Sequence, residues 1–264
     1  MAKTEELAGV DTFSVTLERF KVAPIATLVL FFLLWEFVAR AAGISRALLP
    51  PPSVAFEYIY FNYPLLWQHT LETTYETVLG FFVAVVVGIL IAIVMTHFKI
   101  INDAFYPLMV ISQVLPKVAF APLLLLWLGY GMLPKVVIAF SVAFFPIVIN
   151  SIGGFTAVEP EMINLLRVLG ANRWQIFCKL RFMNALPQIF DGFKIGITLA
   201  VIGAIVAEFI GGEMGLGYLI IVSNSTIDAP LMFASLIILS VAGVVLFGIV
   251  MVIERVTIAW HFRG

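Results

Sequence analysis

The chain has 264 residues, of which 62% are hydrophobic and only 12% charged, with a formal net charge of −1. Soluble domains carry about 25% charged residues, so this composition, with a mean hydropathy of +1.09, belongs to an integral membrane protein. The near-zero charge says nothing about nucleic acid, but there is no basic tract and no such partner is expected; the single cysteine, Cys178, leaves no intramolecular disulfide.

The first 23 residues are mixed polar and read as a segment outside the membrane. The apolar run that follows is too long for a cleavable signal. A helix needs about 20 apolar residues to cross a bilayer, and six stretches qualify: 24–42, 74–97, 104–127, 134–154, 190–211 and 231–254. After the first comes ALLPPPSV, where three consecutive prolines force an extended chain. Residues 53–72 then read as one or two interfacial helices, with Trp67 and several tyrosines at headgroup depth. The third stretch is interrupted by Gln113, Pro116, Lys117 and Pro122, and the fifth carries Glu208.

Between the fourth and fifth stretches lies a polar island, Glu159 to Asp191. Met162, Leu165, Leu166 and Leu169 follow a helical spacing. Gly170 can end that helix in a left-handed conformation, and Asn172 can cap a second, short helix that opens at Arg173. That helix has Trp174, Phe177 and Leu180 on one side and Arg173, Lys179 and Arg181 spread around it. Two short amphipathic helices about a glycine hinge form a docking surface, or a loop lying on lipid phosphates.

Lysine and arginine placement orients the chain. With the N-terminus inside, Lys3, Arg19, Lys21, Lys99, Arg167, Arg173, Lys179, Arg181, Lys194, Arg255 and Arg263 are cytosolic, eleven of the 15 basic residues. Arg46 and Lys135 fall outside, with Arg40 near an outer helix end. The N-terminus, the polar island and the C-terminus are therefore expected in the cytosol.

Two charges within the spans, Lys117 and Glu208, stand out. Lys117, beside Ser112 and Gln113 in the proline-broken third stretch, either lines a solute pathway or is structural. The structural alternatives are a pair with Glu208, a contact with a helix C-terminus, or snorkelling. Glu208 either belongs to a gate or dimer seam, or is a hydrogen-bonded structural acid. The glycines at 211, 212, 215 and 217 suit a sharp turn packed at a gate rather than a nucleotide loop. No phosphate-binding loop, metalloprotease signature or nucleophile elbow occurs. A stand-alone secondary transporter or channel would call for internal repeats and more intramembrane charges. A lipid-modifying enzyme would call for clustered Asp or His, whereas His69, His97 and His261 are scattered.

Three blocks in order, Pro116–Asn150, LGANRWQIF (Leu169–Phe177) and VAEFIGGEMGLGYLII (Val206–Ile221), resemble one family. It is the permease subunit of binding-protein-dependent ABC importers, in the nitrate/sulfonate/taurine branch, and the resemblance runs from about Leu48 to the C-terminus. The family's cytosolic loop carries EAA, three residues, Gly, then nine residues to Ile-x-Leu-Pro. Gly170 fits the glycine. Asn164, Leu165 and Leu166 stand at the EAA positions, Phe182 and Met183 at the Leu-Pro positions, and a Leu-Pro follows at Leu186-Pro187.

The resemblance implies an all-α membrane protein with the type I ABC importer permease fold. It would have a segment 1–23, a first span and connection over 24–72, and a core domain over 73–264 with coupling helices at about 159–186. It also implies a multi-pass protein of the bacterial inner membrane that works beside a second permease copy. Two ATP-binding cassette subunits would bind ATP and Mg, so this chain itself needs no cofactor, and a periplasmic binding protein would deliver a small solute. Arg167, Gly170, Ala171, Asn172, Arg173 and Trp174 would form the turn that enters the ATPase. Ser112, Gln113, Pro116, Lys117 and Glu208 are the expected pathway and gate residues.

Overall fold

A computed structural model describes residues 23–41, 45 and 48–262. The segment 1–22, Arg46 and Arg263, all used above for orientation, lie outside them. Among the described residues the structure is helical, without strands. The spanning helices are α1 (Ala23–Ala41), α3 (Tyr63–His97), α6 (Met132–Thr156), α9 (Phe182–Gly211) and α11 (Ala229–Thr257). Shorter elements are α2 (Pro52–Phe61), α4 (Lys99–Val114), α5 (Ala121–Leu128), α7 (Pro160–Val168), α8 (Arg173–Ile176) and α10 (Leu216–Thr226).

The core is a sandwich of α3, α6 and α9, built on small residues. Gly80, Ala84, Gly88 and Ala92 repeat every fourth position on α3, and Gly192, Gly196, Ala200, Gly203, Ala204 and Ala207 line α9; all are buried. In lipid, helices gain little from hiding apolar surface, so close backbone approach and van der Waals packing hold them together. The approach is tight: a Cβ on Gly80 would lie 2.6 Å from the Ala139 Cβ, and one on Gly203 only 2.8 Å from the Ala139 Cα. Ile147, Val148, Ile152 and Phe155 of α6 fill the space beyond. By contrast α1 and α4 present apolar surface outward, with Leu33, Phe37, Ile111 and Val114 exposed.

The break expected in the third stretch takes a definite shape, and two other expectations need correction. The third stretch is a broken pair of helices, α4 and a segment from Lys117 to Leu128, bent by 83°. Pro116 has no N–H and biases Leu115 toward the extended conformation, observed at φ −67°, ψ 130°. Residues 63–72 are the opening turns of α3 rather than a separate interfacial helix, so α3 starts ahead of position 73. Only α2 remains as a short helix before it. Finally, α8 is no isolated short helix. It passes through a π-helical turn at Phe177–Arg181 into α9, so helix runs unbroken from Arg173 to Gly211.

α1 is tethered by polar contacts: Glu36 accepts from the backbone N–H (3.0 Å) and hydroxyl (2.8 Å) of Ser53 at the start of α2, and pairs with Arg40. At the end of the bundle near Arg255, Lys194 joins α9 to α11 by pairing with Glu254 at 3.1 Å while also holding Asp191 at 2.7 Å.

Gly203→Val should overpack the α6–α9 seam, costing about 1–3 kcal/mol, and lower the melting temperature of the detergent-solubilised protein. Gly248→Val, where nothing lies within 4 Å, should leave it unchanged; equal effects of the two would contradict this packing.

Candidate functional site

Each helix of the core sandwich runs between two specialised ends. At one end α7 closes on Gly170 in a Schellman turn. Ala171 N–H donates to Leu166 O at 2.9 Å, Gly170 N–H donates to Arg167 O at 3.0 Å, and Gly170 takes φ +82°. A side chain there would be strained. Asn172 then caps the next helix reciprocally: its Oδ1 accepts from Gln175 N–H at 2.8 Å, and its own N–H donates to Gln175 Oε1 at 2.9 Å. These bonds make the turn rigid from the local sequence alone. Around it Met162, Leu165, Val168, Leu169 and Trp174 are exposed, Val168 by 86% and Trp174 by 70%. Arg167, Arg173 and Trp174 share the wall of one pocket behind α7. The structure thus brings together all six residues expected at the turn.

The expected pathway residues divide. Gln113 and Lys117 line one cavity of about 170 Å³ with Leu115, Val118, Val142, Pro146 and Leu199. Lys117 Nζ stands 4.5 Å from the centroid of the Phe145 ring, and among the described residues it has no acidic partner. Pro146 inside α6 has no N–H, which frees the Val142 carbonyl from its helical bond beside this cavity. Lys117 and Gln113 therefore line one small, otherwise apolar space at a helix break. Pro116 makes that break, while Ser112 spends its hydroxyl on Met109 O at 2.6 Å.

Glu208 lies elsewhere, at the end of the bundle opposite the Gly170 turn, and is only 1% exposed. Its Oε1 accepts from the Thr73 hydroxyl at 2.6 Å, and its Oε2 accepts from the Gly217 N–H at 2.6 Å. Thr73 Oγ1 in turn accepts from Leu216 N–H at 2.8 Å. The carboxylate and the hydroxyl thereby satisfy the N-terminal amides of α10 and complement its dipole. The loop closes so tightly that a Cβ on Gly215 (φ +116°) would run into the carboxylate itself. His69 Nδ1 lies 2.9 Å from Gly215 N and 3.1 Å from Gly215 O, so this ring nitrogen bonds the same residue of the loop in either tautomer.

Beside Glu208 a second buried carboxylate, Glu76 of α3, accepts from Lys135 Nζ of α6 at 2.6 Å. Lys135 Nζ also donates to Met214 O at 3.3 Å. Lys135 was expected in an outer loop; it is 4% exposed and belongs to this interior cluster instead. A pair of Lys117 with Glu208, one alternative considered above, does not form. Glu76, Lys135, His69 and Thr73 were missed as a group. The signal was present, since His69, Thr73, Glu76 and Gly80 recur at helical spacing and paint one polar stripe at the head of a span.

A family model described as binding-protein-dependent transport system inner membrane component matches residues 84–258. The riboflavin transport system permease protein RibX of Chloroflexus aurantiacus is 33% identical over 237 residues, 89% of this chain and 88% of that protein. The taurine transport system permease protein TauC of Escherichia coli is 26% identical over 252 residues, 93% of this chain and 92% of that protein. Among solved structures, a chain of the MetNI methionine ABC transporter in inward-facing conformations superposes with a TM-score of 0.60. It is 19% identical and covers 73% of this chain and 95% of its own length, a likeness of fold.

Lys135→Met should strand the Glu76 carboxylate, costing about 3–5 kcal/mol, and Glu76→Met with Lys135→Met should recover most of the loss. A thermal-melting double-mutant cycle checks this, and a single variant as stable as the parent would refute it. Glu208→Ala should speed hydrogen exchange at the Gly217 amide while exchange in α7 stays as it was.

Proposed function

The chain belongs to the binding-protein-dependent transport system inner membrane components, the permeases of ABC importers, and from that membership we propose how its parts work. It is the membrane subunit of an ATP-driven importer of the nitrate/sulfonate/taurine branch, not an enzyme; in this family ATP hydrolysis belongs to a partner subunit. Membership removes the stand-alone channel and the lipid-modifying enzyme.

The Gly170 turn is the part that enters the ATPase. The observation that carries this reading is a rigid, doubly capped turn flanked by Met162, Leu165, Val168, Leu169 and Trp174, an apolar surface that nothing among the described residues covers. Arg167, Ala171, Asn172 and Arg173 complete the contact. The EAA acid is absent here, so shape and apolar contact carry the docking. Two permease copies, two ATPase subunits that hold ATP and Mg, and a periplasmic binding protein form the complex. The turn and both termini face the cytosol of a bacterium, and the protein lies in its inner membrane. The division is an added first span on a core permease, with the boundary moved from 73 back to the start of α3 at Tyr63.

Lys117, with Gln113 and the break at Pro116, lines the solute path, and its unpaired ammonium suits a small organic or inorganic anion. Moving an unpaired charge into hydrocarbon costs several kcal/mol, which an aqueous or solute-filled cavity avoids. The loop at Gly212–Gly217 and its anchor Glu208 form the gate at the far end, with Glu208 acting as a structural acid that fixes the loop.

Gly170→Pro should leave the complex assembled but uncouple ATP hydrolysis from transport in reconstituted vesicles; unchanged transport would defeat the docking role. Lys117→Met should lower uptake of an anionic solute at least about 10-fold with expression retained, and normal uptake would remove it from the path. Affinity purification of the chain should bring down an ATP-binding subunit.

A further inference from the structure

The pocket behind α7 has a chemistry that the apolar docking surface does not use. It encloses about 450 Å³ between the last turn of α3 (Ile93, Thr96, His97), the inner face of α7 (Ile163, Arg167) and the α8–α9 junction (Arg173, Trp174, Ile176, Phe177, Arg181). Three guanidinium groups and an imidazole face one space with no acid in its wall. Among the described residues none of the three arginines forms an ion pair, and the one polar contact is Arg167 Nη1 to Asn164 Oδ1 at 3.5 Å.

This wall shares Arg167, Arg173 and Trp174 with the proposed docking turn but lies on the other side of α7 from its apolar face. At about 100° per residue, Met162, Leu165 and Leu169 lie together on one side of α7, and Ile163 and Arg167 lie nearly opposite. Glu161, the acid in the first turn of α7, is turned away with the apolar side. Whatever covers the outer face of α7 therefore leaves the basic pocket facing the bundle. Its depth is equally defined, because α3 ends at His97 and the helix leading into α9 begins at Arg173, so the pocket sits where spans meet the membrane surface. Trp174, stacked on Phe177 with centroids 5.9 Å apart, is the kind of amphipathic ring that settles at headgroup level.

We propose that this pocket is a binding site for a phosphate-bearing anion, held by Arg167, Arg173 and Arg181 and bridging the end of α3 to the Gly170 turn. Guanidinium forks match phosphate oxygens bidentately, and the mutual repulsion of three such groups is relieved when an anion lies among them. A basic pocket between spanning helices at the surface suits the headgroup of an anionic phospholipid, and free phosphate carries the same chemistry. The proposal does not depend on which partner binds the turn.

The test uses the full-length chain in nanodiscs and in detergent, with Arg181→Gln as the variant and Lys179→Gln as the control. Lys179 carries the same charge two residues away but does not line the pocket. Native mass spectrometry should show phosphatidylglycerol retained by the parent and by Lys179→Gln, and bound about 10-fold more weakly by Arg181→Gln; this outcome supports a lipid occupant. In lipid-free detergent, a rise in melting temperature with inorganic phosphate, absent only from Arg181→Gln, supports the same site with a soluble occupant. If Arg181→Gln is unstable, Arg167→Gln takes its place. Equal loss in the pocket variant and in Lys179→Gln reveals diffuse surface charge and overturns the proposal, as does binding of neither probe to the parent.

Discussion

Everything in this molecule depends on how closely α6 can approach α3 and α9. Inside a bilayer there is no water to expel from between helices, so association rests on contact between surfaces. The glycine and alanine stripes on α3 and α9 let backbones meet at Ala139 with no room for another methyl group. That packing fixes three long helices as one body, and the features at either end inherit their positions from it.

The two ends are built by different means. The Gly170 turn is local: a Schellman motif and a capping box, each made within a few residues, hold it whatever the rest of the chain does. The far end is assembled from distance, with His69 and Thr73 of α3, Lys135 of α6, Glu208 of α9 and the amides of Gly215, Leu216 and Gly217 meeting in one buried cluster. Unbroken helix from Arg173 to Gly211 connects the turn to Glu208. The turn and the residue that anchors the loop therefore lie on one continuous helix. The π-helical turn at Phe177–Arg181 lies between them, where an extra residue is accommodated in the helix.

Charge is treated differently in three places along the bundle. At the end near Lys135 it is paired and fully buried; such a pair adds little net stability but punishes the loss of either partner. Mid-chain, Lys117 stands unpaired over an aromatic ring at a helix break. At the turn, three arginines share a pocket without an acid. The first arrangement is a structural pair, and the other two are the sites of the proposed solute path and the proposed anion pocket.

The sequence by itself determined the membrane setting, the approximate spans, and the geometry of the Gly170 turn. Each of these rests on local physics: apolar length against bilayer thickness, and the φ preference and side-chain reach of Gly170, Asn172 and Gln175. It also carried the family, through three ordered blocks. Tertiary structure alone decided which charges meet. Lys135 looked like a loop residue and Glu76 carried no assignment, because they are 59 positions apart and only the packing of α6 against α3 joins them. The same reason separated Lys117 from Glu208 and turned Glu208 into the cap of α10. Helix breaks were partly legible: Pro116 announced a disruption, but its 83° bend follows from where α4 and α5 pack. Where a side chain's partners lie within one helical turn, sequence suffices; where they come from another helix, small-residue packing chooses them.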